Sequence, residues 1–222
     1  MTAICQAAHY HLRKIGRIRK YITFPACEKL IHTFVTSCID YGNALLYGLP
    51  KIQLNRLQRI LNIAARIPTC SYRFDSISTI LCELHWLKIE QRIDYKVLLL
   101  TFKCLNGLAH SYLSELLTLY QPTRNLRSSS ANLLVVPHVK TTTFGQRSFS
   151  YAAPYLWNKL PNHMKEVTTI SAFKTCIKTH LFTKLYWTIL LTITVILNLY
   201  YIKCIAYLTM FYLKLYSVIE YT

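Results

Sequence analysis

Glycine and acidic residues are scarce in this sequence, and each scarcity excludes a kind of site. Five glycines among 222 residues leave little material for the glycine-rich loop that cradles a nucleotide phosphate. The sequence also contains no G-x-S-x-G elbow, no H-E-x-x-H motif and no C-x-x-C pair, the patterns of serine hydrolases, zinc proteases and paired-cysteine sites. Nine acidic side chains face 26 lysines and arginines, which gives a formal net charge of +17. This imbalance favours a polyanionic partner, either a nucleic acid or an anionic membrane surface.

The eight cysteines are scattered without tight spacing, and the first residues lack the sustained apolar stretch of a secretory signal. We therefore expect reduced thiols in a cytosolic or nuclear setting. The best metal-ligand spacings are Cys176-x-x-x-His180, on one helical face, and Cys82-x-x-His85. A single Cys or His on a helix is usually a packing or surface residue, so we predict no metal and no cofactor.

Apolar residues recur every three or four positions in residues 1–68 and predict three helices. The second helix begins after Thr23, a predicted N-cap, and continues to about residue 46. The third follows the break at Gly48 to Pro50 and ends near Pro68. The predicted apolar stripes are Ile4, Ala8, Leu12, Ile15, Ile18 and Ile22 in the first helix, Leu30, Ile31, Phe34, Val35, Cys38 and Ile39 in the second, and Leu54, Leu57, Leu61 and Ala64 in the third.

Further helices are predicted at Lys88–Leu105, at Ser111–Tyr120 and from Ser171 onward, where Phe173, Ile177 and Leu181 share one face. A strand is predicted at Leu133–Val136, with a candidate partner at Phe144–Phe149. The predicted fold class is therefore mainly α. It combines a small helical bundle, an irregular C-terminal region with at most a short β-hairpin, and a hydrophobic C-terminal helix.

Residues 185–222 differ in character from the rest of the chain. Leu185–Ile202 is an 18-residue run without a charge, which as a helix would span roughly 27 Å of hydrocarbon. The tail also lacks Gly, Pro and Arg, a composition typical of translated A/T-rich noncoding DNA. Two interpretations stay open, a C-terminal membrane anchor and read-through past a lost stop codon.

Residues 148–182 are basic and rich in aromatic side chains. We expect Tyr155 and Trp157 to fill the core against the helix at Lys88–Leu105, because aromatic side chains bury large areas. Stacking of these two rings on unpaired bases is the alternative. Lys174 and Lys178 share a different helical face, which is suited to an acidic partner.

Two segments of this region also carry a resemblance. Ala-Ala-Pro-x-Leu-Trp-Asn-x-Leu-Pro begins at Ala152, and Ser-Ala-Phe-Lys-x-x-Ile-Lys-Thr-His-Leu-Phe begins at Ser171. Together they resemble the C-terminal region of reverse transcriptases from non-LTR, LINE-type (jockey-like) retrotransposons. Lys88 and His110 stand where this family commonly has proline. The other similar segments are Leu84–Leu87, Arg92–Lys96, Leu100–Leu108, Asn125–Ser129 and Lys29–Arg66, the last of which is similar to the part that follows the polymerase palm.

The resemblance implies a domain organisation and a mode of binding. Residues 1–68 would be a thumb-like helical bundle, 69–184 an accessory region of the reverse transcriptase, and 185–222 the hydrophobic tail. In the family, the helices after the palm grip the template–primer duplex by its backbone, which requires exposed Lys and Arg and no reading of bases. The predicted nucleic-acid contacts are Arg13, Arg17, Lys20, Arg56, Arg59, Arg66, Lys174 and Lys178.

The paired aspartates of the family's palm, which hold the catalytic metal ions, are absent from this sequence. Asp40 and Asp94 stand singly within predicted helices, where surface or capping roles are expected. We therefore predict a non-catalytic fragment whose partner is the RNA or DNA backbone, without a small-molecule substrate. The alternatives are a small tail-anchored membrane protein with a basic cytoplasmic domain, and a pseudogene relic without function. The location would be cytoplasmic or nuclear without an anchor, and a membrane with one.

Overall fold

A computed structural model describes residues 2–121, 132–141 and 143–187, and these residues are mainly helical, as predicted. The chain divides into two compact units, Met1–Phe182 and Thr183–Thr222, and the predicted boundary after residue 68 lies inside the first unit. The helices are α1 (Thr2–Ile18), α2 (Phe24–Ile31), α3 (Ser37–Asp40), α4 (Lys51–Thr69), α5 (Ile77–Glu83), α6 (Ile89–Leu105), α7 (Ser111–Ser114), α8 (Phe149–Asn158), α9 (Asn162–Lys165) and α10 (residues 170–187).

The predictions for the tail fall largely outside this description, since most of Leu185–Ile202 lies beyond residue 187. The segment Asn125–Ser129 also lies outside it. Within the described part of the chain, no helix combines the length and the apolar character needed to cross a membrane.

Helices α1 and α4 pack against each other through their apolar stripes. The stripe predicted for α4 is confirmed, with the addition of Ile60 and Ala65. In α1 the buried residue of the first turn is Cys5 rather than Ile4, and Ile18 is 43% exposed. Each fully buried leucine or isoleucine contributes about 1.5–3 kcal/mol of transfer free energy, so this contact is a main source of stability for the first 69 residues.

The second helix differs from its prediction because it contains a π turn. Its buried apolar residues are Cys27, Ile31, Val35 and Ile39, at strict intervals of four. An α-helix would turn such a row by about 40° at each step. The π turn at His32–Thr36 adds one residue and so keeps the row on one side.

Two other features of the second helix correct the prediction. Phe34 of the predicted stripe is exposed, and Leu30 and Cys38 are only half-buried, because each stands one position before a buried residue and so lies about 100° around the helix from it. The helix also ends at Asp40 rather than near residue 46. Gly42 then has a φ of +61°, which reverses the chain direction at little steric cost.

The core of the remaining residues forms where α6, α8 and α10 meet. The predicted packing of Trp157 against α6 is confirmed: the ring is 2% exposed and clusters with Leu98, Leu99 and Phe102. Its Nε1 donates to the backbone oxygen of Asn132 at 2.8 Å, so the buried polar atom has a partner. The predicted apolar face of α10, namely Phe173, Ile177 and Leu181, is buried in the same cluster, although the helix begins at residue 170, one position before Ser171.

The predicted strand at Leu133–Val136 is reduced to one antiparallel bridge, between Leu134 and Leu119. The candidate partner Phe144–Phe149 is instead a 3₁₀ turn followed by the first residue of α8. Asn158 explains why this short extended segment needs no second strand. Its side-chain amide accepts from the Leu134 nitrogen at 2.9 Å and donates to the Leu134 oxygen at 2.8 Å, the two bonds that a neighbouring strand supplies.

Candidate nucleic-acid interface

The helix pair α1 and α4 presents basic side chains without any acidic ones. Thr2–Ile18 and Lys51–Thr69 contain no Asp or Glu, so no carboxylate within either helix neutralises these charges. This composition sets the pair apart as an electropositive surface in a chain that also carries Glu and Asp elsewhere. The basic residues of the two helices are Arg13, Lys14, Arg17, Lys51, Arg56, Arg59 and Arg66.

Two of the predicted contact residues, Arg56 and Arg59, lie beside α1, and a third, Arg13, lines an adjoining cavity. Arg56 and Arg59 of α4 line a groove of about 400 Å³ with Gln6 and His9 of α1. Gln6 and His9 also line the adjoining cavity of about 410 Å³, and Arg13 forms its next wall. Because the two cavities share these residues, we treat them as one surface and call it the basic groove.

The arginines of the basic groove are exposed and are not paired with acidic side chains. The ion pairs found among residues 2–121, 132–141 and 143–187 are Arg92 with Asp40 and His32 with Glu28, and neither involves the groove. Arg17 is also exposed and lies four residues after Arg13, so it extends the same face of α1 by one turn.

Two other predicted contacts have a different setting. Lys20 is exposed in the 3₁₀ turn after α1, and its ammonium lies 4.8 Å from the centre of the Tyr21 ring. Arg66 is half-buried, and its guanidinium donates to the backbone oxygens of Tyr72 and Asp75, the latter at 2.8 Å. Arg66 therefore fixes the loop after α4, a structural role that its place on a basic face does not reveal.

Lys174 and Lys178 are exposed on α10, as predicted. Neither of them lines the basic groove. Lys178 lines a cleft of about 380 Å³ that also contains Glu28 and the ion pair of Arg92 with Asp40, whose atoms lie 2.7 Å apart. The acidic groups offset much of the positive charge in this cleft. The role of the two lysines in binding stays a prediction.

Sequence reasoning missed Arg19, which joins the ends of the two helices that form the groove. Its guanidinium donates to the backbone oxygens of Ile67 at 3.1 Å, Pro68 at 2.7 Å and Ile22 at 2.9 Å. The last carbonyls of a helix lack partners within the helix, and here an arginine from elsewhere in the chain supplies donors. Pro68 near the helix end is the only hint in the sequence, and it does not point to a particular partner.

Tyr155 does not share the buried position of Trp157, so the prediction that both rings fill the core is wrong for Tyr155. Its ring is 37% exposed, lies nearly parallel to that of Tyr151 with centres 5.7 Å apart, and has the Lys159 ammonium 3.7 Å above it. Helical spacing explains this result, because Tyr155 lies two residues before Trp157 and so points to a different side of α8.

Tyr155 and Tyr151 line a cavity of about 240 Å³, which we call the tyrosine pocket. Burial, with smaller contributions from Asp94 and the two other tyrosines, raises the pKa of Tyr47 to about 12. The Tyr47 hydroxyl therefore stays protonated well above neutral pH. The residues of the tyrosine pocket are Tyr47, Gly48, Gln146, Arg147, Tyr151 and Tyr155.

Three of the four residues in the two candidate metal pairs pack against other side chains in the structure. Cys82 is buried, and burial raises the pKa of its thiol, while the His85 ring stacks on Phe182 with centres 5.4 Å apart. Cys176 is half-buried against the core around Trp157. Over the described ranges, no three or more His, Cys, Asp and Glu residues group so that they could hold a metal ion.

Several residues that carry the family resemblance make internal contacts. Asp40 accepts from the Arg92 guanidinium at 2.7 Å and from the Asn43 amide at 3.3 Å. Lys88 and His110 precede α6 and α7 with φ values of −66° and −64°. These values match the angle that a proline ring fixes, so the backbone at both positions is compatible with the proline common in the resembling family.

Comparison of the chain with protein-family models, with curated proteins and with solved structures found no match.

Proposed function

We propose that this chain binds the backbone of nucleic acids without sequence specificity, and that the basic groove is the contact surface. The observation that carries the proposal is the convergence of Arg13, Arg56 and Arg59, from two helices without acidic residues, on one exposed groove. Guanidinium groups match phosphate oxygens in geometry and stay charged at any physiological pH. Contacts of this kind position a nucleic acid but carry no sequence information.

The resemblance gives this binding a biological setting. We propose that the chain is a non-catalytic C-terminal fragment of a retrotransposon RNA-directed DNA polymerase, which ancestrally contacted template–primer nucleic acid. The backbone at Lys88 and His110 is compatible with proline, so these two departures from the family pattern do not count against this origin. The internal contacts of Asp40 and Trp157 support it, because they give a structural reason for the motif residues that the family shares.

The arginines of the groove, together with Arg17 on the next turn of α1, set the expected salt dependence. If Arg13, Arg17, Arg56 and Arg59 each neutralise one phosphate, the logarithm of the binding constant should fall with the logarithm of salt concentration with a slope of about −3.6. Between about 50 and 200 mM salt the affinity for duplex DNA would then fall roughly 150-fold. This steepness distinguishes binding through the phosphates from binding through apolar contacts.

The test is a titration of labelled duplexes with unrelated sequences by the full chain, over this range of salt. We expect similar affinities for all sequences and the slope given above. The double variant Arg56→Gln with Arg59→Gln should reduce the slope by about 1.8 and weaken binding roughly 60-fold at about 100 mM salt, because two phosphate contacts are lost.

A matched control removes two exposed positive charges outside the groove, through Lys29→Gln with Arg73→Gln. This control has the same net charge as the groove variant, and we expect it to keep the wild-type slope. Equal losses in both double variants would show that net charge, rather than the groove, determines binding, and the proposal would then be wrong. Binding that does not respond to salt would contradict it as well.

A further inference from the structure

The tyrosine pocket presents an aromatic surface that the protein core leaves open. Tyr151 and Tyr155 lie four residues apart on α8, and their rings are inclined by only 17°. Phe102 and Phe173, by contrast, stack in the interior and are almost fully buried. Tyr155 is exposed and Tyr151 is half-buried, and an aromatic ring open to solvent is a surface on which unpaired bases stack, because every base has a flat π face.

Arg147 adds a positive charge that the protein does not neutralise. It lines the pocket, its Nε is buried, and its side chain makes no hydrogen bond or ion pair with the described residues. Because no acidic side chain in the described part of the chain neutralises this guanidinium, a phosphate oxygen that reaches its outer nitrogens would be stabilised here. Lys159 is exposed and its ammonium lies over the Tyr155 ring, so a base that stacks on this face of the ring takes the place of the ammonium, which stays at the rim as a second positive charge.

The turn before α4 holds Arg147 in this position. Gly48 has a φ of +68°, and a Cβ atom at Gly48 would lie 2.5 Å from Cγ of Arg147. Only glycine therefore allows the turn to approach the arginine side chain so closely. The Asp94 carboxylate helps to raise the pKa of Tyr47, so negative charge is disfavoured beside the Tyr47 hydroxyl. The pocket therefore has two parts. The positive charge of Arg147 suits a phosphate, and the tyrosine rings suit a flat ring system.

We propose that the tyrosine pocket binds one unpaired nucleotide of a single-stranded nucleic acid, with its base stacked on Tyr155 and its phosphate at Arg147. A volume of about 240 Å³ suits a single ring system rather than a folded segment. The proposal rests on the proposed function for the kind of polymer, but it concerns a different surface from the basic groove. It predicts separate determinants for single-stranded and duplex binding.

The experiment compares the full chain and its variants on three probes, a short oligothymidylate, a short oligouridylate and a duplex, at one salt concentration. Tyr155→Leu keeps an apolar side chain but removes the π face, and it should weaken single-strand binding roughly tenfold while duplex affinity changes less than about twofold. Tyr155→Phe retains the ring and should retain binding. Arg147→Gln should weaken single-strand binding as well, because the phosphate partner is lost.

Tyr72→Leu serves as the matched control, since Tyr72 is an exposed tyrosine outside the pocket. Dependence of either oligonucleotide on Tyr155 supports the proposal, and the tighter of the two identifies RNA or DNA as the source of the nucleotide. The proposal is overturned if Tyr155→Leu leaves single-strand binding unchanged, weakens all three probes equally, or is matched by Tyr72→Leu.

The outcome is also separable from that of the proposed function. If duplex binding depends on salt but single-strand binding is unchanged in Tyr155→Leu, only the proposal of a nucleotide pocket is overturned. Single-strand binding that needs Tyr155, in a chain that fails to bind duplex, would overturn the role of the basic groove alone.

Discussion

Arg19 offers a sharp test of how the groove is built, because one side chain joins the ends of α1 and α4. Replacement by methionine keeps a long side chain that packs but removes the three hydrogen bonds to backbone oxygens. Hydrogen bonds to charged groups contribute roughly 1.5–3 kcal/mol each, although water can replace part of them where the carbonyls are half-exposed. We therefore expect Arg19→Met to lower the free energy of unfolding by about 2–4 kcal/mol.

Urea unfolding of the full chain, followed by tryptophan fluorescence, measures this loss. Trp86 and Trp157 are both buried in the folded unit, so their emission should change when it unfolds. With an m-value of about 2 kcal/mol/M, the midpoint should fall by roughly 1–2 M.

The control is Arg17→Met, at an exposed arginine two residues earlier, which should stay within about 0.5 kcal/mol of the wild-type chain. Equal midpoints for the two variants would refute the reasoning, since the hydrogen bonds of Arg19 would then contribute nothing measurable. The pair also separates stability from binding. Arg17→Met should weaken duplex binding although the fold is intact, because Arg17, unlike Arg19, continues the exposed face of α1 that carries Arg13.

Two further predictions concern buried ionisable groups. Burial lowers the pKa of Lys165, whose ammonium has only a long contact of 3.5 Å to the Asn158 oxygen. The unfolded chain therefore holds this proton more readily, so Lys165→Met should stabilise the fold by on the order of 1 kcal/mol at neutral pH, and the gain should shrink as pH rises toward 10.5. Chemical denaturation at several pH values checks this, and a gain that grows with pH would contradict it. Burial also raises the pKa of the Cys27, Cys82 and Cys104 thiols. A short iodoacetamide pulse read by mass spectrometry should modify the exposed Cys70 first and these three only after unfolding; equal rates would show that they are accessible.

The sequence was sufficient for those parts of the fold that repeat a simple pattern. The apolar stripe of α4 and the core face of α10 were predicted because their residues follow the spacing of an ordinary α-helix. The burial of Trp157 followed from its size. The second helix was mispredicted because its buried residues follow intervals of four, and adjacent apolar residues such as Phe34 and Val35 fit the ordinary α-helical pattern as well.

The candidate site shows a similar division. Exposed basic faces on α1 and α4 were visible as patterns within each helix, and Arg13, Arg56 and Arg59 are exposed as predicted. The sequence did not say that these faces meet at one groove, since that depends on how two helices 33 residues apart in the chain cross each other. The hydrogen bonds of Arg66 and Arg19 to backbone oxygens could not be predicted either, because every residue has a backbone carbonyl and the sequence does not indicate which one an arginine will reach.

The π turn at His32–Thr36 has a consequence for how this chain tolerates change. Removal of one residue between Ile31 and Val35 would turn this segment into an ordinary α-helix, in which the buried residues follow intervals of four, three and four. These intervals form one stripe on an α-helix, so Ile39 would stay in the core and Asp40 would keep its position beside Arg92. In a helix without a π turn, the same deletion would rotate every later residue by about 100°. This segment is therefore the part of the helix where the loss of one codon should disturb the fold least.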